Sequence, residues 1–208
     1  MRLYHHPMSS NARRALMTAI HLGLSLELAE VDLMNADDRR RLAELNPNGK
    51  VPVLADGDFL LWESCAIMQY LAEQVPGQTI YPQAPQARAD VNRWLFWAAQ
   101  HFAPAISVLA WERAWKGMTG NGPADPLEEA RGERDLHECA VVLDAHLAQR
   151  DWLSGDALTL ADFAVAAPLM YSEAVRLPLA QYQHIEAWFA RVRQLRAWQE
   201  TDVELLPG

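Results

Sequence analysis

An α/β half followed by an all-helical half is the architecture this sequence predicts, and three observations carry it. The first 75 residues alternate short β-forming runs with amphipathic helical patterns in the order β-α-β-α-β-β-α. Residues 76–85, PGQTIYPQAP, contain three prolines and no periodicity. Beyond them no convincing strand pattern recurs, and long stretches keep apolar residues at helical spacing.

Arg2 to Tyr4 reads as a very short strand, and His5 to Ser10 as a loop. From Asn11 the pattern is helical, with Ala12, Ala15, Leu16, Ala19 and Ile20 on one face and Gly23 as a C-cap. Leu26 to Val31 alternates strictly and predicts a strand, while residues 37–45, DDRRRLAEL, predict a short solvated helix. The richest stretch is Asn46 to Ser64. Asn46-Pro47-Asn48-Gly49 is dense turn punctuation. Val51–Leu54 and Phe59–Trp62 are apolar β-forming runs with Asp56-Gly57 between them as the hairpin turn. Pro52 has no N–H and cannot sit in a central ladder, so Val51 is expected to offer its backbone elsewhere. Ser64 is expected to N-cap a helix that runs to about Val75. The whole order is that of a thioredoxin-like fold, its first βαβ crossover parallel and right-handed.

The predicted boundaries are 1–75 for the α/β domain, 76–86 for a linker and 87–208 for the helical domain. Residues 88–116 form a long helical stretch that Pro104 should kink or divide. Residues 117–126, GMTGNGPADP, read as a flexible loop; Leu127–Gln149 predicts a second long helix. Residues 160–175 are very apolar and predict a central helix, and Ile185–Trp198 supplies one or two more. Thr159 and Asp162 resemble a capping box, with Leu158 and Phe163 placed for a hydrophobic staple, a folding device rather than chemistry.

Composition excludes several classes. A net charge of −9 argues against a nucleic-acid surface. No apolar run approaches the roughly 20 residues that span a bilayer, and no secretory leader pattern follows Arg2, so a membrane role is not expected. Cys65 and Cys139 make no CxxC spacing, and the histidines make no HExxH, so no metal site is expected. A reduced, cytoplasmic setting follows as the expectation. Cys65, one residue into its helix, reads as a small hydrophobe.

NPNGKVP at 46–52, then a hairpin, then Glu63-Ser64 at a helix start, resembles the glutathione-binding half of a glutathione S-transferase. The stretch LYHHPMSSNARRAL at 3–16 is similar to the serine-type phi and theta members, and the likeness runs over about residues 1–200, as in a bacterial member of that kind. The resemblance implies glutathione as co-substrate, a hydrophobic electrophile as its partner, and a homodimer. It places Ser9 as the hydroxyl that donates to the glutathione sulfur and favours thiolate, with Ser10 as the nearest rival and Asn11 as a further donor. A free thiol titrates near 8.5, so this stabilisation decides how much nucleophile is present at neutral pH.

Ser64 at a helix N-terminus suits the γ-glutamyl carboxylate, and Glu63 the γ-glutamyl ammonium. Pro52 resembles the family's cis-proline, which would leave Val51 to pair with the cysteinyl backbone as strand with strand; an edge-strand trans proline is the competing reading. Lys50, with Arg39 and Arg40 as weaker helpers, is placed to meet the glycyl carboxylate. Trp111 and Trp115 are the preferred walls of an electrophile pocket, expected in the cleft between domains. The alternatives are a glutathione-dependent disulfide or peroxide reductase, which Asn11 keeps open, and a non-catalytic binding module on the same fold.

Overall fold

The computed structural model describes residues 1–203 and 205 of the 208-residue chain. They fall into two compact units, the first Met1–Tyr81 with Arg196–Val203, the second built on Pro82–Leu195.

The first unit contains β1 (Arg2–His5), α1 (Ser10–His21), β2 (Glu27–Glu30), α2 (Ala36–Leu45), β3 (Val53–Asp56), β4 (Phe59–Trp62) and α3 (Ser64–Glu73), the predicted order. The sheet runs β2-β1-β3-β4. β1 pairs parallel with β2 and antiparallel with β3, and β3 is antiparallel to β4. The pleat sends alternate side chains to opposite faces. Leu3 and Leu54 are cross-strand partners on one face and pack with Ala15 and Ala19 of α1 and Ile67 and Leu71 of α3. Tyr4 and Val53 are the next pair and lie on the other face, in a cluster with Val31, Leu42 and Val51. The sheet is thus a layer with α1 and α3 on one side and Leu42 of α2 on the other. Truncating fully buried Leu3 or Leu54 to alanine carries the usual core cost of about 2–5 kcal/mol.

Three local expectations are corrected. Asp56 pairs with Phe59, so the hairpin turn is Gly57-Asp58 rather than Asp56-Gly57. Gly57, φ 58°, takes the first turn position, where a hairpin turn with one positive φ wants glycine. β3 begins at Val53, not Val51, because Pro52 cannot donate to the ladder; the Val51–Pro52 peptide bond is cis. Ser64 is the first helical residue of α3 and not its cap. The cap position belongs to Glu63, at φ 72° and ψ 109°, with no side-chain capping bond.

The second unit opens with α4 (Pro85–Trp97), whose N-terminus takes proline in its first turn. A wide π-type turn at Ala98–Phe102 then leads into α5 (Ala103–Ala110). This is how Pro104 divides the stretch: it falls in the first turn of α5, and the widened turn before it takes up the missing backbone donor. A second π-type turn, Trp111–Trp115, leads into α6 (Lys116–Met118). α7 (Pro126–Leu147) follows, N-capped by Asp125, whose carboxylate accepts the Leu127 N–H. α8 (Leu160–Ala166) has every residue buried and is the central helix of this unit, as its composition predicts. It ends in a 3-10 turn, Ala167–Tyr171, and α9 (Gln183–Arg193) completes the unit. α10 (Arg196–Gln199) belongs to the first unit.

The predicted reach of Asp162 back to Thr159 is present, with its Oδ2 accepting both the backbone N–H, at 2.8 Å, and the hydroxyl, at 3.1 Å. Its Oδ1 accepts the Leu153 N–H and the Trp188 indole N–H, each at 3.0 Å. Asp162 is therefore a hub joining three segments, more than a cap. Among the described residues no helix is long and apolar enough to cross a membrane.

Candidate functional site

Ser9 is the N-cap of α1. Its backbone is extended, and its hydroxyl oxygen accepts the Ala12 N–H at 3.2 Å. Capping uses a lone pair only, so the hydroxyl hydrogen stays available to a second acceptor. The loop before it is wound tightly: the Ser9 N–H donates to the His6 carbonyl at 2.9 Å, and the Met8 N–H to His6 Nδ1 at 3.2 Å. His5, at the end of β1, is held below the usual histidine range by burial, against the opposing pull of Glu30. Ser10 is buried in the first turn, whereas Ser9 is half-buried and Asn11 exposed.

Asn11 connects this turn to α3. Its Oδ1 accepts the Ser64 hydroxyl at 3.4 Å, which sets the N-termini of α1 and α3 side by side. Neither helix has an acidic residue in its first turn. Two helix starts with positive ends make an electrostatic environment that favours anions, with the Glu63 carboxylate standing at the cap position of α3. Glu63 stands at the entrance to α3, and its positive φ is a conformation that costs a non-glycine residue on the order of 1–3 kcal/mol.

The turn before β3 is organised by Asn46, only 3% exposed. Its Nδ2 donates to the Lys50 carbonyl at 2.7 Å, and its Oδ1 accepts the Asn48 N–H at 3.0 Å. Gly49 provides the positive φ, 61°, that the turn requires. Val51 lies outside the ladder with its side chain in the core cluster, and Lys50 is exposed beside it. Arg39 and Arg40 are exposed on α2, where Arg40 is paired with Asp37. In the second unit, Trp111 and Trp115 stand four residues apart in one π-type turn. Trp111 is 41% exposed, and Trp115 meets Tyr171 edge-on at 6.2 Å.

The structure thus brings Ser9, Ser10, Asn11, Glu63 and Ser64 to two neighbouring helix starts. Sequence reasoning missed Asn46 as the residue that holds the turn, and missed the two arginines of α1. Arg13 and Arg14 are both buried, with exposures of 4% and 1%. Their signal was a charged pair inside the apolar face of a helix. It also missed a cleft of about 330 Å³ in the helical unit, lined by Arg93, Trp94, Trp97, Val142 and His146. The reading of Cys65 as a plain hydrophobe is corrected, because its Sγ accepts from Arg14 Nη1 at 3.6 Å.

A hydroxyl with a free hydrogen at one helix head, beside a second helix head, can donate hydrogen bonds to an anion. Comparison with known proteins shows the family. Residues 1–73 match the family model of the glutathione S-transferase N-terminal domain, and residues 109–195 that of the C-terminal domain. Glutathione S-transferase F10 of Arabidopsis thaliana is 30% identical over 95% of this chain and 94% of its own length. Glutathione S-transferase 3 of Zea mays is 33% identical over 97% of this chain and 92% of its own. Among solved structures, the theta class glutathione S-transferase of Xanthomonas axonopodis pv. citri, with glutathione bound, superposes with a TM-score of 0.87 at 32% identity, covering 99% of this chain and 98% of that one. The chain belongs to the glutathione S-transferase family of enzymes.

Proposed function

We propose that this enzyme binds glutathione at the paired starts of α1 and α3, stabilises its thiolate through Ser9 and conjugates it to a hydrophobic electrophile. The observation that carries the reading is the Asn11–Ser64 contact, which sets the hydroxyl of Ser9 in the same neighbourhood as the head of α3. Ser64 and the first-turn N–H groups of α3 take the γ-glutamyl carboxylate, and Glu63 the ammonium. The backbone of Val51, ahead of Pro52, pairs with the cysteinyl unit. Lys50, with Arg39, draws the glycyl carboxylate. Ser9 is favoured over Ser10 because Ser10 is 7% exposed while Ser9 is accessible and keeps its hydroxyl hydrogen.

Residues 1–75 act as the glutathione-binding domain, 76–86 as the linker and 87–208 as the helical domain, where Trp111 and Trp115 take the electrophile. The enzyme works as a cytoplasmic homodimer. Edge strand β4 supports the dimer, since Phe59, Leu60 and Trp62 are 48%, 39% and 39% exposed there. Sedimentation velocity tests it, and a monomer at micromolar concentration would rule it out.

The thiolate step is tested by the ultraviolet absorbance of bound glutathione titrated against pH, in wild type and Ser9→Ala. The expected result is ionisation well below that of free glutathione in wild type, lost in the variant. Normal titration in both proteins leaves glutathione held but not activated and overturns the catalytic role. A shift that survives Ser9→Ala moves the role to Ser10 or Asn11. Turnover of an aryl halide, set against turnover of a small disulfide, separates conjugation from reduction.

A further inference from the structure

Arg14 is the most anomalous charge among the described residues. It is 1% exposed, and its Nε and Nη2 have no hydrogen-bond partner. A buried guanidinium whose nitrogens lack acceptors is costly, and such a group is retained where it acts on something. Its Nη1 is aimed at Cys65 Sγ, 3.6 Å away. Cys65 is the second residue of α3, a ten-residue helix whose first turn holds no acid and whose cap position is Glu63. The thiolate is the nucleophilic form of cysteine, and both a guanidinium and a helix N-terminus favour negative charge on sulfur. Cys65 is half-buried.

The other cysteine supplies an internal contrast. Cys139 is also half-buried, but its thiol is pushed up to about 11 by burial, with Asp135 and Glu138 adding to the effect. One thiol faces a cation and the other faces two carboxylates.

We propose that Cys65 is a reversible modification site that takes a glutathionyl group from glutathione disulfide, with Arg14 as the group that activates it. The Cys65 thiolate attacks one sulfur of the disulfide. A new Cys65–glutathione S–S bond forms as the old S–S bond breaks, and the electron pair leaves on the second glutathione as a thiolate, which takes a proton from solvent. Electrons balance within the exchange, and a dithiol reductant reverses it. Because Cys65 follows Ser64 directly, the attached tripeptide covers the head of α3 and closes it to a new glutathione. This consequence for activity rests on the binding site proposed above; the exchange itself does not.

The test incubates reduced protein with glutathione disulfide and locates the adduct by peptide mass spectrometry in wild type, Arg14→Met, Arg14→Lys and Cys65→Ser. The expected result is a single adduct on Cys65, formed about tenfold or more faster than on Cys139, slowed about tenfold in Arg14→Met and largely retained in Arg14→Lys. Transferase activity should fall in step with the adduct, return with dithiothreitol, and be insensitive in Cys65→Ser. Equal labelling of both cysteines overturns the proposal, as does an unchanged Cys65 rate in an Arg14→Met protein whose circular dichroism is native. If Arg14→Met does not fold, the wild-type ratio of Cys65 to Cys139 and the Arg14→Lys rate decide. An adduct on Cys65 with no effect on activity keeps the exchange and overturns the switch. A reduced wild type without transferase activity counts against the function proposed above and leaves the adduct result standing.

Discussion

Ser64 donates its hydroxyl to Asn11 Oδ1 at 3.4 Å, and this contact joins the first turns of α3 and α1. The distance is long for an O–H···O bond, so the hydroxyl is loosely held and can turn to a better acceptor. A ligand carboxylate at the head of α3 is such an acceptor. Ser64→Ala should therefore leave the fold nearly unchanged and weaken glutathione binding by about 1.5–3 kcal/mol, the worth of a hydrogen bond to a charged group. Calorimetric titration with glutathione measures this. A Kd within twofold of wild type would remove Ser64 from the binding site.

Arg13 makes the opposite use of a buried guanidinium. Its Nη2 donates to the Trp198 carbonyl at 3.0 Å and its Nε to Thr201 Oγ1 at 3.1 Å, while its Cζ lies 3.8 Å from the Trp198 ring centroid. The ion pair to Asp202 is a lesser matter, because Asp202 is 71% exposed and solvent screens it. Arg13→Ala is expected to cost about 2–4 kcal/mol and to release α10. Asp202→Ala should cost less than about 0.5 kcal/mol. Amide exchange across residues 196–203 distinguishes the two: faster in the first variant and unchanged in the second. Equal effects would mean that the ion pair, not the buried bonds, fastens the segment.

Local signals made the layer order legible, and long-range polar contacts set what was missed. Alternation in Leu26–Val31 and the hairpin punctuation near Gly57 are short-range signals, and the strands they predict are present. Leu3 and Leu54 share a face because the pleat dictates it once the strands are paired. The exact head of α3 was not legible: serine is the better capping residue, yet the chain enters the helix through Glu63 at φ 72°. Nothing in a single sequence announces a positive φ at a glutamate. What Arg14 contacts was not legible for a related reason. Its significance depends on Cys65, 51 residues away, and on the lack of acceptors for its other nitrogens. The resemblance in Asn46–Pro52 located the turn, but not that buried Asn46 is what holds it.

Gly132 lies inside α7, where glycine is usually a liability of about 1 kcal/mol relative to alanine. Here a Cβ would meet Leu109 Cδ2 and Val108 Cγ1 at 3.0 Å each, both on α5. Glycine is present because the two helices approach closely at that point. Gly132→Ala should destabilise the protein by about 1–3 kcal/mol, overpacking outweighing the better helix propensity. Leu109→Ala should cost less in the Gly132→Ala background than in wild type, because the added methyl occupies part of the space it leaves, a non-additive pair in urea denaturation. A stabilised Gly132→Ala protein would show that α5 moves aside freely.

Asp162 gives the clearest pH dependence. It is fully buried and accepts four hydrogen bonds, from Leu153 N, Thr159 N, Thr159 Oγ1 and Trp188 Nε1. Burial nevertheless dominates and pushes its carboxyl up to about 6 from an ordinary 3.8, the four donors opposing the rise. A folded-state value above the unfolded one means the folded protein binds the extra proton between the two. The stability this group contributes is therefore complete below about 3.8 and is lost as the pH rises through about 6. Asp162→Asn removes that titration and turns an amide N–H₂ toward two of the donors, at a cost of about 2–4 kcal/mol at pH 7. The gap between wild type and variant should widen by about 1 kcal/mol at pH 5, since only the wild type gains from protonation there. Urea denaturation of both proteins at the two pH values measures it. A gap that narrows at pH 5 would mean that the four donors outweigh desolvation and hold the carboxylate ionised.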